Sequence, residues 1–576
     1  MSSDSSDEDD SPPEIIPSTN RGSIHISHPG VPPPEHYSFA TQAKRPKWPD
    51  DLWNSGVLIY DLKNGTRNQP TGTNPNDKTL IFDSFFESGN LSQVYLLSPD
   101  VYHCILEYDK NKSGSCQWFY FKMQNIRADT KYTFFISGFH KNTGLFSTGA
   151  KIFWYSEKQY QKQGYSWCRG GTNYAYGLSK HKKKDKRSTL QFQIKFPYDN
   201  DTVYFCYALP YTYTDLLNYI NNWQKVSPFG SLTTGTLGKT LGGRDCPYIQ
   251  ITSPQSNIPM EARPCLFFTG RIHPGESNGS VVLHGLIDYL VSNAPGAQYL
   301  RDNFVIRIVP MVNIDGVVEG FYRISLGGQD LNRVWINPDP AIQPIVCKIK
   351  DFIFQSAKER TIAAYIDFHG HSRLHGTFAY GCPNDDNPNL RDKEKLFPRM
   401  LAFLCDTFSW SNCVFSIPPG RKAASRIVVR TQADVVQSFT IETSFGGMQS
   451  GPRAGILYDE VLWKEIGAKC GETLFHMFLG SDSPVTSYVK QELYFLSPNG
   501  DDEDDSSSDD EKIVECDYQV TPTLANEQVP PRMKPGTPML KLSAPTNFFN
   551  ISSKMITTTP PQVCAPKWSQ LQFTEQ

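Results

Sequence analysis

Four groups of side chains in this sequence are of types and spacings that could do chemistry. The first is Arg271-Ile-His273-Pro-Gly-Glu276-Ser. The apolar run CLFFTGRI ends there, Pro274 and Gly275 turn the chain, and a helical pattern starts near Glu276. An imidazole and a carboxylate at such a turn are standard zinc ligands, and catalytic zinc takes three protein ligands plus water. His and Glu three apart also arise by chance, so the pair is weak by itself. The second group, Asp367-Phe-His369-Gly-His371-Ser, ends the apolar run TIAAYIDF. His369 follows that strand directly and is preferred as the third ligand. His371 competes for the role and is otherwise a supporting or substrate-side residue. Asp367 could orient an imidazole, as carboxylates behind metal ligands do. Two His and one Glu is a set found in hydrolytic zinc sites.

The third group is Asn313-Ile-Asp315-Gly316, then Tyr322-Arg323, then Gln329-Asp330-Leu-Asn332-Arg333. A guanidinium matches a carboxylate with two parallel hydrogen bonds, and Asn332 beside Arg333 adds a donor without a counter-charge. Together they suit the free carboxylate at a peptide's end. Arg323 could stabilise an oxyanion. The competing reading pairs these arginines with Asp330 or Asp315 in purely structural ion pairs. The fourth group is Ser438-Phe-Thr-Ile-Glu442-Thr-Ser-Phe-Gly-Gly. A carboxylate at this strand end could accept a proton from an activated water and pass it to a leaving amine. Alone, it reads as a solvated side chain.

The elements that must position these groups alternate. Strand-like CLFFTGRI, NFVIRIVPMVN, TIAAYIDFH and VVQSFTIET are separated by helical SVVLHGLIDYLV, IQPIVCKIKDFIFQSA and FPRMLAFLCDTF, and followed by a terminal helix within 458–479. That order predicts an α/β domain over 210–482: an open mixed sheet with helices on both faces. Ligands of such sheets sit beyond the carboxyl ends of the strands. Before it, residues 78–209 carry short β-prone runs such as CQWFYFKMQNI, YTFFISGF and STLQFQIKF, which predict an antiparallel β-sandwich. Residues 1–48 read as a disordered acidic and Pro-rich segment, 49–77 as a linker, and 483–576 as a mostly disordered acidic and Pro/Thr/Ser-rich tail. The basic run 180–187 reads as an exposed hairpin loop, or more sharply as a contact for an acidic partner or a nuclear signal.

Composition narrows the classes. No run of about 20 apolar residues is present, so no membrane span is expected, and the acidic start lacks the pattern of a signal peptide. The thirteen cysteines form no Cys-x-x-Cys pair, which argues against a disulfide framework or a cysteine zinc knuckle and favours a reducing compartment. The net charge is −3, but without the five acids of 4–10 and the eight of 501–511 the remainder is +10. A basic body attracts anionic partners; the acidic runs by themselves read equally well as solvated tails.

In this order, HPGES (273–277), NIDG (313–316), YRISLGGQDLNR (322–333), DFHGHS (367–372) and SFTIETSFGG (438–447) resemble the carboxypeptidase A-like zinc metallocarboxypeptidases, and within them the cytosolic carboxypeptidases. FDSFFESGNL (82–91), QWFYFKMQNI (117–126) and FPYDNDTVYF (196–205) resemble the β-domain that precedes the catalytic domain in that branch. The resemblance implies one zinc ion per chain on His273, Glu276 and His369. It implies Glu442 as general base, Arg323 at the oxyanion, and Asn332 and Arg333 on the substrate's terminal carboxylate. It also implies Arg426, sixteen residues before Glu442, as the cation of a pocket for glutamate; otherwise Arg426 is an ordinary surface residue. The branch removes glutamates from protein tails, chiefly tubulin. Acidic protein tails, tubulin and microtubules are therefore the expected partners, in the cytoplasm, on microtubules or cilia. Neither nucleic acid nor membrane is expected. Ile314 and Gln329 stand where the branch usually has Pro and Arg. A zinc amidohydrolase acting on small acylated amino acids and a non-catalytic binder of acidic tails are the rival readings.

Overall fold

The computed structural model describes residues 21–22, 39, 48–49, 52–64, 66–67, 78–109, 115–180, 186–384, 387 and 390–496. The first domain is a sandwich of two sheets. One has seven strands in the order Thr172–Lys180, Lys186–Ile194, Tyr132–Phe139, Val101–Ile105, Gln93–Ser98, Val57–Asp61, Thr66–Arg67. The other has five: Ile81–Asp83, Tyr120–Gln124, Val203–Cys206, Ile152–Ser156, Cys168–Gly170. Aromatic side chains fill the space between them. Phe134 of the larger sheet meets Phe205 of the smaller with ring centroids 5.1 Å apart, a favourable edge-to-face distance. One pairing departs from the antiparallel expectation: Val101–Ile105 runs parallel to Tyr132–Phe139. Between these two strands the chain crosses to the other sheet to form Tyr120–Gln124, and such a crossover is what a parallel pair requires.

Three boundaries also differ from the sequence reading. Residues 49–77 are not simply a linker, because Val57–Asp61 pairs with Gln93–Ser98. Tyr60 of that strand is buried, with its hydroxyl 2.8 Å from Ser84 Oγ. Within 1–48, Gly22 accepts a hydrogen bond from Glu87 N–H at 2.9 Å, and the Arg21 guanidinium lies 3.7 Å from Glu319. Past 482, helix Pro484–Leu496 packs back on the second domain through Val489, a Phe403–Tyr488 ring contact at 5.4 Å, and an Arg399–Glu492 ion pair. The acidic run 501–511 and the basic run 181–185 lie outside the described residues.

The second domain is a seven-stranded mixed sheet in the order Leu232–Lys239, Asp245–Ile251, Val305–Val309, Cys265–Gly270, Ile362–His371, Ser438–Ser444, Thr377–Tyr380. Its four central strands, from Val305–Val309 through Ser438–Ser444, are mutually parallel. Their residues are almost continuously buried, as expected of strands covered on both faces. Helix Ser277–Leu290 crosses Glu460–Leu479 at two glycines. A Cβ on Gly467 would lie 1.8 Å from Val282 O, and one on Gly285 would lie 2.1 Å from Lys464 O. Only hydrogen at these positions permits so close an approach.

The domains are joined by hydrogen bonds. Ser88 N–H and Oγ–H donate to Val318 O and Val317 O at 3.0 and 2.8 Å. Thr214 binds the Glu87 carboxylate through N–H and hydroxyl at 3.0 and 2.6 Å. The buried Arg169 guanidinium donates to Tyr458 O and Phe445 O at 2.7 and 2.6 Å. The cysteines of the described residues are free thiols. No helix among those residues is long and apolar enough to cross a membrane.

Candidate metal centre and catalytic cleft

Three parallel strands end side by side and deliver the chemistry. Just beyond Cys265–Gly270, Arg271 takes a left-handed backbone conformation (φ 59°). Its buried guanidinium locks the turn by donating to Pro274 O at 2.7 Å, Tyr211 O at 3.0 Å and Ser280 Oγ at 3.1 Å. The turn presents His273 and Glu276. Glu276 sits at the N-cap of Ser277–Leu290 but makes no cap hydrogen bond. Its carboxylate faces the histidines instead: Oε1 is 2.9 Å from His273 Nδ1, and Oε2 is 2.9 Å from His369 Nδ1. The ligand atoms of all three residues lie within 4.8 Å of one another, and all three are buried.

Each imidazole is fixed from behind. His369 donates from Nε2 to Asp367 Oδ2 at 2.8 Å, and His273 from Nε2 to Asp330 Oδ1 at 3.1 Å. With both Nε2 atoms so occupied, both Nδ1 atoms are directed at the Glu276 carboxylate. Carboxylate support of this kind sets tautomer and ring orientation at metal sites. His273 Nδ1 is buried and, although 2.9 Å from Glu276 Oε1, is not aligned for a hydrogen bond to it, a donor atom that a metal would satisfy. The donor set and the orphaned nitrogen fit zinc. Electrostatics agree. Burial opposes charge on His369, yet Asp367 and Glu276 together raise its pKa well above the ordinary value. Burial likewise opposes charge on Glu276, but the two histidines hold its pKa well below the usual range. The pocket therefore favours a cation.

His371 is not in the group. Its Nδ1 accepts from Leu374 N–H at 2.9 Å, and its ring packs on Phe378. Burial, then the nearby Lys141 charge, pushes its pKa down to about 3, so it is neutral.

Glu442 is in register with His369 on the neighbouring strand. Its side chain is half-buried. Burial first, and the Glu276 charge with it, raises its carboxyl to about 7 against the pull of His369, His273 and Arg323. Arg323 does pair with Asp330, at 2.7 Å, so the structural reading holds for that contact. The same Asp330 carries His273, which makes the pair part of the metal site. Asn332 Oδ1 accepts from Ser425 N–H at 2.9 Å, while Ser425 Oγ donates to Asp367 at 2.8 Å. This spends the amide oxygen of Asn332 and leaves its NH2 as the end available to a ligand. Arg333 follows on the same 3-10 turn, with its guanidinium donating to Asn332 O at 2.9 Å.

Arg426 is not a surface residue. It is buried on helix Ser425–Gln432, with its guanidinium 5.5 Å from the Tyr380 ring and 3.4 Å from Gly381 O. Burial lowers its pKa; the Glu442 charge is among the opposing influences. No carboxylate among the described residues forms an ion pair with it. By contrast, Asn313 and Asp315 hold structure. Asn313 bonds Ile324 O at 3.0 Å, and Asp315 takes Arg244 at 2.8 Å.

The sequence reading missed two residues of the first domain. Asp109, buried, accepts from Tyr322 N–H and Arg323 N–H at 2.7 Å each and from Ile324 N–H at 3.1 Å. It clamps the segment that carries Arg323. Lys141 hydrogen-bonds Tyr322 OH at 3.2 Å and Ser372 Oγ. It also missed Asp330 as the support of His273. A carboxylate two residues before Asn332 was the available signal.

Comparison with known proteins gives the same division of the chain. Residues 82–208 match the cytosolic carboxypeptidase N-terminal domain, and residues 218–449 match the zinc carboxypeptidase family. Cytosolic carboxypeptidase 2 of Macaca fascicularis is 37% identical over 409 residues, covering 69% of this chain and 48% of the relative. Cytosolic carboxypeptidase 1 of Mus musculus is 33% identical over 443 residues, covering 72% and 36%. The chain thus spans half or less of the length of these relatives. A metallo-carboxypeptidase from Pseudomonas aeruginosa superposes with a TM-score of 0.55 at 23% identity, over 68% of this chain and 98% of that one. One from Burkholderia cenocepacia gives 0.54 at 20%, over 69% and 98%; both likenesses concern the fold. With the two domain matches in sequence order and the curated relatives spanning both, the chain belongs to the cytosolic carboxypeptidase family of zinc carboxypeptidases.

Proposed function

We propose that this chain is a zinc carboxypeptidase that removes acidic residues, glutamate foremost, from the ends of protein tails, with polyglutamylated tubulin as the leading substrate and the cytoplasm as its place of action. The observation that carries the acidic preference is Arg426, a buried guanidinium within electrostatic reach of Glu442 that forms no ion pair with a carboxylate among the described residues. A buried unpaired charge is costly, and a substrate carboxylate would relieve that cost. The +10 body of the sequence supports the same partner by long-range attraction.

His273, Glu276 and His369 would hold the zinc. When bound, zinc acidifies water and polarises the scissile carbonyl. Glu442 takes a proton from the attacking water and delivers it to the leaving amine nitrogen, a task suited to a carboxyl near neutrality. Arg323, held by Asp330, would hydrogen-bond the oxyanion of the tetrahedral intermediate. Asn332 and Arg333 hold the terminal carboxylate and so set which bond meets Glu442. Arg426 receives the carboxylate of the terminal side chain.

The test is to incubate zinc-loaded protein with glutamylated tubulin and with peptides ending in Glu, Asp, Leu or Lys, and to follow products by mass. Cleavage concentrated on Glu, and lost in Arg426→Ala with zinc retained, is expected. Equal cleavage of all four peptides removes the acidic specificity. No cleavage with zinc bound reduces the protein to a binder.

A further inference from the structure

We infer that Lys141, contributed by the N-terminal β-domain, is a second substrate cation. It receives the carboxylate of an acidic residue on the acyl side of the scissile bond. This deepens the proposed function and rests on it: Arg426 reads the residue that leaves, and Lys141 reads the chain that stays.

Lys141 follows the strand Tyr132–Phe139. Its backbone is pinned by the buried Tyr176, whose hydroxyl donates to Lys141 O at 2.6 Å. The ammonium crosses to the catalytic domain. It bonds Tyr322 OH at 3.2 Å and Ser372 Oγ, and stands 5.5 Å from the centroid of the Tyr322 ring. Both hydrogen-bond partners are hydroxyl groups. Among the described residues, this half-buried cation has no paired carboxylate.

Its place relative to the metal group gives it direction. Ser372 directly follows the strand that carries His369. Tyr322 O accepts from Gly275 N–H at 2.8 Å within the turn that carries His273 and Glu276. Lys141 therefore stands against the metal turn and the His369 strand end. Arg426 lies elsewhere, at Tyr380 and Gly381, next to Ser425 and through it Asn332. The two cations share no contact residue. Asn332 and Arg426 mark the side of the leaving residue, so the Tyr322–Ser372–Lys141 side is where the rest of the substrate passes. A run of consecutive carboxylates, such as a short glutamate chain, would meet a cation on each side of the bond.

The experiment compares two peptides of equal length that both end in Glu and differ upstream of the final bond, one with glutamates and one with alanines. With the full chain loaded with zinc, kcat/KM is expected to favour the glutamate peptide. Lys141→Met is expected to cut that preference about five- to tenfold, the scale of one partly desolvated ion pair. Lys141→Arg should keep the preference, and Lys225→Met, which removes a distant charge, should leave it intact. In a Glu442→Gln background, the Kd of the glutamate peptide measured by fluorescence anisotropy should weaken by the same factor on adding Lys141→Met. An unchanged ratio overturns the inference. So does an equal loss on both peptides, which assigns Lys141 a merely structural role. The terminal-residue preference is read from a different peptide set, Glu against Leu endings. A protein that fails there refutes the acidic reading of Arg426 without deciding the Lys141 ratio.

Discussion

Asp330→Asn probes the support of His273 and the support of Arg323 within one side chain. Asp330 Oδ1 accepts from His273 Nε2 at 3.1 Å and from Asn332 N–H at 2.8 Å, and Oδ2 faces Arg323 at 2.7 Å. Burial opposes its ionisation, but His273 and Arg323 hold its pKa well below the carboxylate range. Asparagine best keeps its oxygen on the Oδ1 side, where two donors wait, and so puts an NH2 against the guanidinium. A hydrogen bond to a charged group contributes about 1.5–3 kcal/mol. The lower end applies here, because the Arg323 side chain is 28% exposed and water replaces part of what is lost. On the metal side, loss of the partner's charge makes His273 a poorer donor, and such changes weaken metal affinity about 10- to 100-fold. Zinc Kd by chelator competition is expected to rise in that range. At saturating zinc, kcat/KM on a Glu-ended peptide should still fall about tenfold, through a displaced Arg323. Asp315→Asn is the control: its carboxylate is also buried and paired with an arginine, Arg244 at 2.8 Å, but touches no ligand. A folded Asp330→Asn protein with wild-type zinc affinity would refute the claim that Asp330 orients His273.

Glu442→Gln should retain zinc at full stoichiometry, measured by elemental analysis, while turnover falls about 10²- to 10⁴-fold; retained turnover would move the base elsewhere. Because Asp367 and Glu276 raise the His369 pKa in the metal-free protein, zinc must displace a proton from it. Affinity should fall as pH falls, and calorimetry in buffers of differing ionisation enthalpy should show release of about one proton or more. Buffer-independent heats would contradict this. Asp109 is pushed up to about 6, mainly by burial and against its three N–H donors. Its folded pKa lies above its unfolded one, so its contribution to stability is full below about pH 4 and is lost as pH rises through about 6. Asp109→Asn should remove that slope from urea titrations, and Asp109→Ala, which orphans three N–H groups, should also lower kcat. Gly467→Ala should destabilise by at least about 1–3 kcal/mol, seen as a lower melting temperature, since its Cβ would lie 1.8 Å from Val282 O.

What was legible in the sequence was what local pattern encodes. His273 and Glu276 stood out because a strand, a Pro-Gly turn and a helix start fall within a few residues. His369 and Glu442 each end an apolar run, and their parallel register follows from that placement. The choice between His369 and His371 could not be finished from sequence, because it depends on which ring meets Asp367 and Glu276 in space. The hairpin Leu232–Lys239 and Asp245–Ile251 went unread. It is an edge element whose first strand is largely exposed and carries TTGT rather than an apolar alternation. Val57–Asp61 was passed over as five residues amid polar chain. Asp109 and Lys141 were beyond reach for a different reason. Their partners lie 213 and 231 positions away, and no periodicity links residues across domains.

The clamp by Asp109 has a consequence for how the protein is made. Synthesis is vectorial, and domains that emerge first fold first. When the β-domain leaves the ribosome, the acceptor oxygens of Asp109 face water, and Tyr322–Ile324 has not been translated. Arg169 waits longer still: its acceptor Tyr458 O lies 289 positions downstream. The metal turn at 273–276 thus exists in the nascent chain well before its surroundings do. Hydrolytic competence is a late property, acquired when the last strand and its following helix dock and the two halves latch. A chain stalled before residue 442 carries the metal-binding turn but has neither Glu442 nor the Tyr458 and Phe445 carbonyls that accept from Arg169.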